Sequence, residues 1–384
     1  MNDEIIYLDH AAATPLDPKV LAAMQPYFSD SFFNPSAAYS PAITVRREYE
    51  EAKSVIARSI GAKGDEIIIT AGATESINLA FASVSGHVVT ANTEHHAVLE
   101  TAKLRDHTLV LADERGLVSA DAVKSAIRPD THLVSIALAN NELGTIQPLR
   151  DIAEVVRKER ESRLGRGDHT PIYLHSDASQ GVGQLDVNVA RLGVDLLTLN
   201  AAKVYGPKQV GLLWAASHVV LAPQIIGGGQ ERGIRSGTEN VAGTIGFAKA
   251  LSLASEHRKF EADRLGSLRD MVQKKLTEAF PKAVVSGHQK HRLAGHLHIS
   301  FPKLDAERVL FSLESLGVLV ATGSACAANK GTRSHVLTAI GLSPEVADGS
   351  LRLTFGHLST EENSLRAAEL IIQEVTREFE RVAR

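Results

Sequence analysis

Four side chains able to do chemistry fall just after short apolar runs. The run Ile67-Ile68-Ile69-Thr70 is followed by Ala71-Gly72-Ala73-Thr74-Glu75-Ser76 and then an apolar helical stretch. A turn of small residues that opens a helix presents backbone N–H groups at the positive end of the dipole, which suits a phosphate, and Thr74 adds a hydroxyl. The same segment serves equally as a plain cap, with Thr74 or Ser76 satisfying the first turn and no ligand. Further on, the run at 172–175 leads into Ser176-Asp177-Ala178-Ser179-Gln180. A carboxylate at the exit of a buried strand is poorly solvated and wants a cationic partner, such as a protonated heterocyclic nitrogen; the alternative is that Asp177 caps a turn. One strand later comes Asn200-Ala201-Ala202-Lys203. Desolvation at such a place lowers an amine pKa and makes Lys203 a nucleophile toward carbonyl carbon, although a lone lysine there is more often a surface residue. The single cysteine, Cys326, lies in Ala321-Thr322-Gly323-Ser324-Ala325-Cys326-Ala327-Ala328-Asn329-Lys330-Gly331. A lone cysteine is more often a small buried hydrophobe than a nucleophile. This segment is small, polar and glycine-containing, so it reads as a mobile loop after a strand, a tether for a thiol that must enter a site and leave it. The thiolate is the reactive form, so its pKa must be lowered or a base must take its proton.

The elements that must position these groups alternate regularly. Strand-like runs at 67–70, 87–90, 108–111, 133–138, 172–175 and 196–199 are separated by segments with apolar residues at helical spacing, such as Ile152, Val155 and Val156. Strand and helix in repetition predict an α/β fold with a mostly parallel sheet covered by helices on both faces. Ligands of such sheets bind beyond the carboxyl ends of the strands, where the groups above are placed. From about Asn240 the pattern changes to a long helical stretch over 241–280. After it come a strand at 297–301, a helix at 306–316, strands at 318–321 and 351–355, and a terminal helix from Thr360. That predicts a smaller α+β domain entered through the long helix.

Composition bounds the function classes. The chain has 384 residues, 44% of them hydrophobic, enough for two domains with sizeable cores. A formal charge of -4, from 41 basic and 45 acidic residues, gives no reason to expect a nucleic acid partner. The acidic start Met1-Asn2-Asp3-Glu4 is unlike a secretory signal, no apolar run reaches membrane-spanning length, and one cysteine makes no intrachain disulfide. A cytoplasmic protein is expected.

Several further motifs, in order, resemble the cysteine desulfurases of the bacterial iron–sulfur-assembly type, which are pyridoxal-phosphate enzymes of fold type I with a class-V aminotransferase-like sequence. These are Tyr7-Leu8-Asp9-His10-Ala11-Ala12-Ala13-Thr14-Pro15, Gly72 to Ser76, Thr93-Glu94-His95-His96-Ala97-Val98-Leu99 and Asn140-Asn141-Glu142-Leu143-Gly144. The most specific is Gly227-Gly228-Gly229-Gln230-Glu231-Arg232-Gly233-Ile234-Arg235-Ser236-Gly237-Thr238, followed by Gly323-Ser324-Ala325-Cys326. The resemblance spans essentially the whole chain. It implies a large cofactor domain over 15–255 with a seven-stranded sheet, and a small domain made of 1–14 and 256–384 that carries the cysteine loop. It implies that Ala73 and Thr74 bind the cofactor phosphate, and that His95 stacks on the ring and carries a proton. Asn141 and Gln180 would bond the phenolic oxygen, Asp177 the ring nitrogen, and Lys203 the cofactor carbonyl carbon. Thr238 would reach the phosphate of the partner subunit in a homodimer with shared sites. Asn34 and Arg352 would hold the substrate carboxylate, and Cys326 would receive sulfur from L-cysteine, leaving L-alanine, for delivery to an acceptor protein in iron–sulfur assembly or tRNA thiolation.

The match has departures. The family usually has Ser or Thr two residues before a His-Lys pair, where this chain has Asn200 and Ala202. Asn200 can still donate to the phosphate through its amide, but Ala202 cannot, so weaker cofactor retention is expected. His291, His296 and His298 invite a metal reading, but no cysteine or carboxylate completes the set and a structural role is expected, with no metal. Two rivals stay open: a selenocysteine lyase or related pyridoxal-phosphate lyase, and a catalytically silent interaction protein.

Overall fold

The computed structural model describes residues 5–323 and 333–383. Twelve strands are found among them: β1 (Ile6–Tyr7), β2 (Ile67–Thr70), β3 (His87–Ala91), β4 (His107–Val110), β5 (Thr131–Ser135), β6 (Tyr173–Asp177), β7 (Leu196–Asn200), β8 (Gly211–Ala215), β9 (Val284–Ser286), β10 (His296–Ser300), β11 (Val318–Leu319) and β12 (Ser350–Thr354). Seven form one sheet in the order β2-β8-β7-β6-β5-β3-β4. Strands such as Ile67–Thr70, His87–Ala91 and Gly211–Ala215 are buried along their whole length because helices cover both faces, whereas the edge strand β4 is largely open. β3 to β7 pair in parallel, whereas β8 runs antiparallel to both β7 and β2. β8 carried no sequence expectation, since Gly211-Leu212-Leu213-Trp214-Ala215 follows β7 after a short turn without an intervening helix. Being antiparallel, it leaves β2 pointing the same way as β7, so the carboxyl ends of β2, β3, β5, β6 and β7 share one edge. Strand order reverses between β3 and β5, which opens a crevice at that edge.

A second, smaller sheet, β12-β10-β9, is antiparallel. Helices Ala306–Ser315 and Glu361–Val382 cover it, and their Val309, Leu313, Ala367, Ile371 and Val375 form a core with Leu297, Ile299, Leu351 and Leu353. The chain's start joins this core: β1 pairs with β11, and Ile6 and Leu8 are buried in it. Burying each such side chain contributes about 1.5–3 kcal/mol, which holds the N-terminal segment beside the C-terminal sheet. The 39-residue helix Val241–Ala279 serves both cores. Val241, Phe247 and Leu251 face the large sheet's core, and Leu265, Leu268, Val272 and Leu276 the small one's. The expected strand at 318–321 is shorter, ending at Leu319; Ala321 instead exchanges backbone bonds with Arg352. The metal reading of His296 and His298 gives way to burial in β10, which pushes both imidazoles down to about 3 and keeps them neutral. Among the described residues no cluster of metal-binding side chains occurs.

Candidate active site

The crevice at the carboxyl edge holds a cavity of about 250 Å³. Each strand end delivers a group to its wall. From the β2 end come Ala73 and Thr74; from β3, Thr93 and His95; from β5, Asn140 and Asn141; from β6, Asp177, Ser179 and Gln180; from β7, Asn200 and Lys203. Arg352 enters from β12, and Ala11 and Ala12 from the N-terminal segment. Residues scattered over most of the chain therefore meet because parallel strands bring every carboxyl end to one edge.

Gly72 precedes the helix Ala73–Ala82 with φ 140°, and no side chain caps that helix. Its first-turn N–H groups are the orphans that attract an anion. The turn also lies tight against β8, where a Cβ on Gly211 would sit 2.6 Å from the Gly72 Cα. His95 is itself a cap: its Nδ1 accepts the N–H of Ala97 at 3.1 Å, which leaves the ring proton on Nε2. Burial holds its pKa below the ordinary histidine value, Asp177 opposing and Lys203 and His335 reinforcing that direction. Asp177 Oδ1 accepts from the Ser179 N–H at 3.0 Å, so the turn-capping role is real, and the carboxylate still lines the cavity. Behind it His175 bridges Ser135 Oγ at 2.8 Å and Thr198 Oγ1 at 3.0 Å. Lys203 Nζ donates to the carbonyls of Ala11 at 2.8 Å and Ala12 at 2.6 Å. Gln180 Nε2 donates to Ala11 O as well, at 3.1 Å. Asn200 Oδ1 is occupied by the Ala202 N–H at 3.0 Å, which leaves its Nδ2 as the donor. Arg352 is buried; Nη2 donates to Asp9 Oδ1 at 2.6 Å and Nη1 to the Asn141 carbonyl at 3.2 Å.

Not every expected residue arrives. Asn34 is exposed, accepts the Ser36 N–H at 2.9 Å and does not line the cavity. Thr238, expected at the partner subunit's site and not at this one, is exposed and does not line this chain's cavity. Its glycine-rich segment is nevertheless well anchored. Glu231 is buried, accepting from Tyr49 Oη at 2.5 Å, Lys53 Nζ at 3.0 Å and the Ile69 N–H at 2.9 Å, while Arg235 pairs with Glu75 at 2.9 Å. Cys326 lies outside the described residues. Two carboxyls had no expectation attached: Glu94 and Glu142, both buried next to site residues. Burial raises Glu94 to about 8, against the lowering bond from the Ala137 N–H. Their only sequence signal was membership of the Thr93-Glu94-His95 and Asn141-Glu142 motifs.

The aminotransferase class-V family model matches residues 6–365. The chain belongs to the class-V aminotransferase family. Cysteine desulfurase IscS of Dictyoglomus turgidum is 40% identical over 96% of this chain and 95% of its own length. A putative cysteine desulfurase IscS 1 of Bacillus subtilis is 39% identical over 97% and 99%. Among solved structures, a NifS-like protein superposes with TM-score 0.89 at 31% identity, covering 97% of this chain and all of the other. Class-V aminotransferases depend on pyridoxal phosphate. The donor set fits that group: a primary amine, a carboxylate, four amides, an imidazole and an uncapped helix end surround one cavity.

Proposed function

We propose that this class-V enzyme is a cysteine desulfurase that converts L-cysteine to L-alanine and takes the sulfur onto Cys326 as a persulfide. The observation that carries the reading is one cavity lined by Lys203, Asp177 and Arg352: a nucleophilic amine, a carboxylate for a ring cation and a buried guanidinium for an amino-acid carboxylate. Full-length relatives named as cysteine desulfurases support the choice of substrate. Pyridoxal phosphate, when bound, supplies a carbonyl carbon for amines and a ring that accepts electrons released at the substrate α-carbon.

The chain's own groups then divide the work. The N–H groups at Ala73 and Thr74, the Thr74 hydroxyl and Asn200 Nδ2 would hold the phosphate, and Asp177 would keep the ring nitrogen protonated. His95 would lie on the ring, and Asn141 and Gln180 would bond its phenolic oxygen. Lys203 Nζ would anchor the carbonyl carbon until the substrate amine displaces it, and then take the proton from the α-carbon. Arg352 would fix the substrate carboxylate, with Asn34 a second contact once substrate is present. The Cys326 thiolate attacks the substrate sulfur; an S–S bond forms, the C–S bond breaks with its electron pair left on carbon, protonation there gives the methyl group, and Lys203 returns the proton to the α-carbon to complete alanine.

Thr238, exposed on its anchored segment, is assigned to the phosphate of the partner subunit in a homodimer with shared sites, and the persulfide to an acceptor protein serving iron–sulfur assembly or tRNA thiolation. Among the described residues no helix is long and apolar enough to cross a membrane, and a cytoplasmic location belongs to the proposal. So does the division into 15–255 and 1–14 with 256–384, supported by the two separate cores. The deciding experiment adds cysteine and a dithiol reductant, which releases the persulfide sulfur as sulfide, to the purified holoenzyme and measures alanine and sulfide together. Equal amounts are expected, and Cys326→Ser should keep the cofactor absorbance while losing sulfide. Sulfide release at the wild-type rate from Cys326→Ser would remove Cys326 from the mechanism.

A further inference from the structure

The described residues on either side of the segment that carries Cys326 converge on one buried carboxyl group. Before it, Gly323 lies so that a Cβ there would be 3.4 Å from Glu142 Oε2 and 3.6 Å from the Ser334 Cβ. After it, Ser334 donates its hydroxyl to Glu142 Oε2 at 2.5 Å. Glu142 is fully buried and Ser334 nearly so, at 4% exposure. The next residue, His335, donates from Nε2 to the Glu94 carbonyl at 2.9 Å, and its ring lies 4.5 Å from that of His96. The pair Ser334-His335 thus bonds to the sequence neighbours of two cavity groups, Asn141 and His95. Those walls are tied together as well: Asn140 Oδ1 accepts the Glu142 and Leu143 N–H groups, each at 2.9 Å, and Asn140 Nδ2 donates to the Thr93 carbonyl at 2.8 Å.

Local structure alone does not require this carboxyl. Ser334 already caps the helix His335–Ala339 through the Leu337 N–H at 3.3 Å. Burying a carboxyl carries a desolvation cost, and Glu142 Oε1 has no hydrogen-bond partner among the described residues. A group buried at a cost, with one oxygen on Ser334, is explained by what it holds in place.

We propose that Glu142 and Ser334 are positioning residues for sulfur transfer: their bond holds Ser334, which follows the cysteine-bearing segment in sequence, against the turn that carries the cavity residue Asn141. The proposal rests on the reading of Cys326 as sulfur acceptor. His335 ties the same point to the turn that carries His95. The test uses holoenzyme in rapid-quench single turnovers with cysteine, reading persulfide on Cys326 beside cofactor absorbance, KM and kcat. For Ser334→Ala we expect unchanged absorbance, a KM within about twofold, and persulfide formation slowed roughly tenfold or more, as for loss of a buried hydrogen bond made to the reactive arrangement. Ser334→Thr, which keeps the hydroxyl, should restore the rate. A wild-type rate in Ser334→Ala, an equal fall in Ser334→Thr, or a loss accounted for by cofactor occupancy overturns the proposal. Should Ser334→Ala fail to fold, Glu142→Gln keeps the size but offers a weaker acceptor and should slow the step severalfold; an unchanged rate overturns it too. Cys326→Ala is the control: sulfur transfer persisting there sinks the acceptor reading itself, a different outcome from wild-type transfer in Ser334→Ala.

Discussion

Replacing Arg352 by lysine keeps the positive charge and removes the fork, and its cost can be worked from the hydrogen bonds. A guanidinium has five N–H donors and an ammonium three. In Arg352 one donor is committed to Asp9 at 2.6 Å and one to the Asn141 carbonyl at 3.2 Å, and Nε is buried, which leaves one N–H on each terminal nitrogen for an incoming carboxylate. A lysine that kept both contacts would have one left, so a two-point grip becomes a single one. A hydrogen bond to a charged group contributes roughly 1.5–3 kcal/mol, and about 1.4 kcal/mol is a factor of ten, so kcat/KM for cysteine should fall about ten- to hundredfold. The assay is steady-state alanine formation, with cofactor absorbance confirming an intact site. Asp9→Asn is the companion variant. It weakens the support of the guanidinium but not the grip, and should cost less than Arg352→Lys. A kcat/KM for Arg352→Lys within twofold of wild type would refute the carboxylate role and leave Arg352 as a link between β12, Asp9 and the Asn141 turn.

Three further outcomes are expected. Glu94, raised to about 8 by burial, keeps a proton that the unfolded chain releases at the ordinary carboxyl value, so the folded state loses stability as pH rises between those values. Glu94→Gln should therefore gain stability over wild type progressively from about pH 5 to 8 in urea titrations; a pH-independent difference would contradict the raised pKa. Glu231→Gln leaves the buried Lys53 ammonium, 5% exposed, without its counter-ion and should cost about 3–5 kcal/mol; a loss below about 1 kcal/mol would show that the pair does not anchor the glycine-rich segment. Ala202→His adds the donor that this chain lacks beside the phosphate end of the site and should tighten cofactor binding about tenfold or more, which equal dissociation constants for the two proteins would disprove.

How far the sequence speaks depends on whether a residue's role is set locally. Asp177 and Lys203 are readable as cavity groups because each follows a short strand and a parallel sheet sends such positions to one edge; His95, Asn141 and Gln180 come from the resemblance alone, and the structure brings them to the same cavity wall. β8 was not, because an antiparallel return needs only a turn and leaves no helix-strand rhythm to count. Asn34 shows the opposite limit: the resemblance names it, but its position depends on how the exposed turn before the helix Ser40–Ile60 lies, and here it caps Ser36 instead. Glu94, Glu142 and Glu231 were illegible as buried groups, since acidic side chains are ordinarily exposed and only long-range packing removes their water. Glu231 is closed in by Tyr49, Lys53 and Ile69, more than 160 positions away, and Glu142 by Ser334, 192 positions away. Glu231 pins the glycines from Gly227 to Gly237, a segment the sequence presents as loose, and Glu142 holds Ser334, which follows the cysteine-bearing segment in sequence. A glycine-rich run states only that the backbone is unconstrained locally. What constrains it is a charge placed elsewhere in the chain, and that pairing exists only once the two cores have formed.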